Sequence, residues 1–159
     1  MREMTNHGDF YFIAAAVGLT AGALLHVAAL AGGPKWIAFV GAPASVVASA
    51  KTGTWLAPVG ALGITALLLV LALYCLSAAG KIRPLPFRST VLAVVAALFV
   101  IRGLIIIPWL VSGRVKWSVL LDLFIVSSSL TILAIGAALI CGLLRSKGRN
   151  ASAAKRGLS

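Results

Sequence analysis

The chain has 159 residues, 61% of them hydrophobic and only 11% charged, with a mean hydropathy of +1.08. Soluble domains carry about 25% charged residues, so the composition excludes an ordinary soluble domain and points to one integral membrane bundle that uses the whole chain. The net charge of +11, from 14 basic and 3 acidic residues, would suggest nucleic acid in a soluble protein. Here the basic residues fall between apolar runs and in the tail, where they orient spans and meet anionic headgroups. Membrane lipids, and not nucleic acid, are the expected partners.

Residues 1–9 form a short polar start in which His7 is expected to be solvated. Phe10 to Ala31 carries no charge and is long enough to cross a bilayer. Arg2 and the Ala29-Leu30-Ala31 triplet also fit a signal peptide, but the apolar run is longer than a usual signal core, so the span is expected to be retained. Gly18, Gly22 and His26 recur every four residues and share one helical face. The two glycines permit close approach of a neighbour, which turns His26 toward another helix.

The connection Gly32–Trp55 is long and only weakly polar. Pro34 and Pro43 can each open a short helix, and Trp36 and Trp55 suit the headgroup level. One or two short interfacial helices are expected, acting as a cap over the bundle or as a lid over a binding site. The second span covers 56–79, with Pro58 tolerated in its first turn. A basic turn, GKIRPLPFR, follows, whose two prolines are expected to stop one helix and reset the next.

The third span, 89–111, carries one charge, Arg102. Pro108 removes a backbone donor from the Leu104 carbonyl and predicts a bend near that end. The fourth span, 118–144, contains Asp122, Ser129 and Gly136 at intervals of seven, a polar or small face expected to turn inward. Residues 145–159 form a basic tail expected to be disordered. Its Asn150-Ala151-Ser152 matches a glycosylation sequon, which matters only if that end is lumenal. Cys75 and Cys141 form no C-x-x-C and are expected to be free, apolar thiols.

Four spans place nine Lys and Arg on the side of the termini and the second loop, against four on the other side. The positive-inside rule then predicts cytoplasmic termini. At 1.5 Å per residue, His26, Arg102 and Asp122 lie roughly 7, 13 and 6 Å from the opposite face. An unpaired arginine or aspartate at span depth costs about 2.5–3.5 kcal/mol on insertion scales. The third and fourth spans are antiparallel neighbours, so a contact between Arg102 and Asp122 is expected.

That contact has two readings. In one it is a structural ion pair that pins two helices of a non-enzymatic protein acting through lipids or a protein partner, with a homo-oligomer among the options. In the other, His26, Arg102 and Asp122 line an outward polar binding pocket, and the protein binds, transports or transforms a polar or anionic molecule. The sequence contains no H-E-x-x-H, G-x-S-x-G or Walker loop. One histidine and one aspartate in the spans are too few for a metal site, so no metal or cofactor is expected and the balance leans away from an enzyme.

The stretch from about Leu24 to Pro108 resembles an uncharacterised family of small four-span bacterial inner-membrane proteins. The likeness rests on Gly32-Gly33-Pro34 with Trp36, on Phe39 and Gly41-Ala42-Pro43, on Tyr74 to Leu85, and on Arg102-Gly103. It implies a bacterial inner-membrane location and adds no mechanism. The expected fold is therefore all-α: one domain over 1–144, a four-transmembrane-helix bundle with a long, partly helical interfacial first loop.

Overall fold

The computed structural model describes the backbone of residues 7–156 and the side chains of residues 8–148. The expectations for His7 as a side chain and for residues 1–6 and 157–159 lie outside the described residues. Among the described residues seven helices follow in order: α1 (His7–Gly32), α2 (Pro34–Phe39), α3 (Ala44–Thr52), α4 (Leu56–Ala78), α5 (Arg88–Leu104), α6 (Ile106–Val111) and α7 (Leu120–Arg156). Among the described residues four stretches are long and apolar enough to cross a membrane: Gly8–Gly32, Leu56–Ala78, Arg88–Val111 and Leu120–Gly148. The protein is a multi-pass, all-α membrane bundle.

Helix boundaries follow from backbone chemistry. Gly33, at φ 79°, breaks α1 from α2, and Pro34 occupies the first turn of α2, where its missing N–H is no loss. Pro43 caps α3, and Gly53 ends it in the left-handed conformation. The stop of α4 differs from the expectation that prolines make it. Gly80, at φ 69°, closes a Schellman motif in which Lys81 N–H bonds the Leu76 carbonyl at 3.0 Å and Gly80 N–H bonds the Ser77 carbonyl at 3.1 Å. Where the third span is predicted to bend, Ile105 separates α5 from α6 three residues before Pro108.

The tail is a second difference. Residues from 145 onward, expected to be disordered, continue α7 as helix through Arg156. The 37-residue α7 is therefore roughly 55 Å long, and its basic last turns project beyond the apolar stretch.

α1 packs against α4 and α7, and α5 packs chiefly on α7 while also touching α4. The proximal end of the bundle holds the start of α1, the α4–α5 turn and the end of the apolar part of α7. Here all four long helices share one core: Phe12 and Leu19 from α1, Leu71 and Cys75 from α4, Leu92 from α5 and Leu139 from α7, all 7% exposed or less. Both cysteines are free, Cys75 buried and Cys141 exposed. The distal end is built differently. A small cluster of Ile106, Val115 and Val126 joins α6 to α7, while α2 and α3 lie against α1 and α4.

Lipid is as apolar as leucine, so close packing, not expulsion from water, holds such helices together. Glycines make that packing possible. A Cβ on Gly103 would stand 2.9 Å from the Leu133 Cα, and one on Gly136 would stand 3.0 Å from the Val100 backbone nitrogen. The α5–α7 pair is therefore a backbone-to-backbone crossing. Gly18 receives the Ile135 side chain and Gly142 the Phe12 ring.

All four tryptophans belong to the distal end and are exposed: Trp36, Trp55, Trp109 and Trp117. The proximal end has Tyr11 instead, with the Arg145 guanidinium 5.0 Å from its ring centroid. That contact ties the start of α1 to α7.

Candidate functional site

The distal halves of α1 and α4 face one another with small residues, Ala29 on one and Ala57, Gly60 and Ala61 on the other. At the proximal end the same two helices meet through Phe12, Leu19 and Leu71. Small residues fill less of the space between helix axes. A cavity of about 220 Å³ remains, roofed by Ile37 and Val40 of the α2 segment and by Pro43 and Val46 at α3.

His26 is the sole polar side chain among the lining residues. It is half-buried, and its Nδ1 lies 2.8 Å from the Gly22 carbonyl oxygen one turn earlier. A carbonyl only accepts, so Nδ1 carries the hydrogen. In the neutral ring Nε2 is then a hydrogen-bond acceptor whose orientation the helix backbone fixes.

The roof is held by hydrogen bonds that composition did not reveal. Ser49 is 4% exposed; its hydroxyl donates to the Thr54 carbonyl at 3.1 Å and accepts from the Ala57 N–H at 3.0 Å. The Thr54 hydroxyl donates to Ser49 Oγ at 2.7 Å. Ser49 thus fastens α3 to the first turn of α4, one of the cavity walls. On the other side, Phe39 packs on Phe124 with ring centroids 4.8 Å apart, which fastens α2 to α7.

The three residues expected to meet do not. Only His26 lines the cavity. Asp122 sits in the first turn of α7, where the helix dipole favours a carboxylate. Its Oδ2 accepts the Lys116 N–H at 2.8 Å, closing the α6–α7 turn. Arg102 is exposed on α5 and forms no ion pair with Asp122. The register of the crossing explains why. Gly103 lies against Leu133, and Asp122 is three helical turns nearer the start of α7, roughly 16 Å at 1.5 Å per residue.

The seven-residue repeat of the fourth span fares better for its other members. Ser129 is buried at 1% exposure and Gly136 faces α5. Missed altogether were Ser49 and its counterpart Ser77, which is fully buried. Ser77 donates to the Arg83 carbonyl at 3.1 Å and accepts the Leu85 N–H at 2.8 Å, stapling the α4–α5 turn. A serine in an alanine-rich run gives no local sign that it will bind a turn five to eight residues away. Among the described residues no three His, Cys, Asp or Glu gather closely enough to hold a metal ion.

No family model, no curated protein and no solved structure matches this chain.

Proposed function

We propose that this protein is a non-catalytic binding protein of a bacterial inner membrane, whose distal cavity takes a small apolar molecule with one hydrogen-bond donor. The observation that carries the reading is His26: one acceptor, oriented by its bond to Gly22, in a cavity otherwise lined by apolar side chains. A single polar group in an apolar pocket orients a ligand while the walls supply the affinity. An apolar cavity of about 150 Å³ accepts benzene, so 220 Å³ suits a molecule of roughly ten non-hydrogen atoms. The exposed tryptophans around the distal end support a position at the membrane interface, where amphipathic molecules enter.

The basic residues support cytoplasmic termini, which turns the cavity to the outer leaflet. The resemblance to small four-span bacterial proteins supports the inner membrane.

The test compares 1-naphthol with 1-methoxynaphthalene, which lacks the donor, by equilibrium binding to the full chain in lipid nanodiscs. Wild type should bind 1-naphthol about tenfold more tightly, as one hydrogen bond of ~1.4 kcal/mol implies. His26→Leu should erase that preference. Gly60→Leu should abolish binding of both, because Gly60 lines the cavity and a Cβ there meets nothing within 4 Å. Gly63→Leu, equally free of contacts, is the control. Unchanged binding in Gly60→Leu would sink the proposal.

A further inference from the structure

Arg102 shares a helical face with Val95, two turns nearer the proximal end. Val95 is 8% exposed and belongs to the core that contains Leu71, Ala72 and Cys75 of α4. Arg102 is exposed. The face of α5 that the bundle covers at Val95 is therefore bare at Arg102, with Leu98 and Ile101 exposed beside it. Among the described residues no hydrogen bond, ion pair or ring contact reaches the guanidinium.

Depth decides what can satisfy it. Within the span Arg88–Val111, Arg102 lies roughly 13 Å from the level of Val111 and about 21 Å from that of Arg88. Both levels lie farther from the Arg102 backbone than an extended arginine side chain reaches. An uncompensated arginine in this layer is disfavoured on the order of a hundredfold.

Among the described residues a second copy offers no carboxylate at this depth. The acidic residues are Glu3, Asp9 and Asp122. Asp9 opens α1, and Asp122 opens α7 with its carboxylate already on Lys116. A two-fold axis passing beside Arg102 would bring arginine to arginine.

We propose that Arg102 is the docking point for a transmembrane helix of a partner protein that carries an aspartate or glutamate at mid-bilayer depth. The partner's helix lies along Leu98 and Ile101 and its carboxylate accepts from the guanidinium. In the low dielectric of the bilayer such a charge-assisted pair is both strong and selective for depth.

The experiment uses the full chain and synthetic helices in phosphatidylcholine vesicles, with association read by energy transfer. The probes are leucine-rich 21-residue peptides with one aspartate at the centre, one aspartate near an end, or none. The central aspartate should raise association at least tenfold over the other two. Arg102→Leu and Arg102→Gln should both remove that gain, and Arg102→Lys should keep part of it. Two variants guard against misfolding in either. Equal association of all three peptides, or a gain that survives both neutral variants, overturns the proposal. So does a gain that phosphatidylglycerol abolishes, which would assign Arg102 to lipid phosphate, and so does Arg102-dependent transfer between copies of the chain.

Discussion

Gly103 rests against the backbone of Leu133 so closely that a Cβ on the glycine would stand 2.7 Å from the Leu133 Cβ and 2.9 Å from its Cα. This contact fixes the register of α5 on α7 and, through it, separates Arg102 from Asp122. Gly103→Val should force the two helices apart. Overpacking of this kind costs about 1–3 kcal/mol. Thermal unfolding in mild detergent checks it: Gly103→Val should be clearly destabilised, whereas Gly63→Val, with open space around its Cβ position, should be close to neutral, since valine is no poorer a helix former than glycine.

Arg102 and Asp122 should be energetically independent. Asp122→Leu removes the acceptor of the Lys116 N–H and should cost about 1 kcal/mol, with Asp122→Asn recovering part of it. Arg102→Leu should add to Asp122→Leu within about 0.5 kcal/mol, as unconnected sites do. A double-mutant cycle with a coupling above 1 kcal/mol would contradict the separation.

Ser77→Ala should damage the α4–α5 turn more than its small volume suggests. It leaves the Leu85 N–H and the Arg83 carbonyl without their partner. An orphaned buried polar group costs about 1–3 kcal/mol. Ser49→Ala should act likewise at the other end, and it should also weaken 1-naphthol binding, since Ser49 holds the Ala57 wall of the cavity. Ser77→Ala should leave that binding alone, which separates loss of the site from loss of stability.

Tryptophan emission should report one membrane interface only. Trp36, Trp55, Trp109 and Trp117 all lie at the distal end. Brominated lipids should quench strongly with bromine near the headgroup and weakly with bromine at the chain ends. Equal quenching at all depths would place these residues elsewhere.

The backbone architecture was legible in the residues because water and lipid impose it one segment at a time. An apolar run of some 20 residues must be helical in lipid, since no solvent there can satisfy its backbone. Pro34, Pro43 and Pro108 mark breaks for equally local reasons. The stretch around Gly80 shows the limit even there: prolines were visible, yet a left-handed glycine made the stop. Continuation of α7 past Arg145 was likewise hidden behind a basic, low-hydropathy composition.

By itself the sequence determined the class, four apolar spans, the presence of short helix in the first loop and the asymmetry of basic residues. Only the tertiary structure decided which polar groups meet. Arg102 and Asp122 look like partners by charge and by hairpin neighbourhood, but the Gly103–Leu133 crossing sets a register that keeps them apart. The cavity beside His26 exists because alanine and glycine on two helices distant in sequence face each other. Hydropathy is a property of each segment, whereas register and volume are properties of pairs of segments, and no single run of residues contains them.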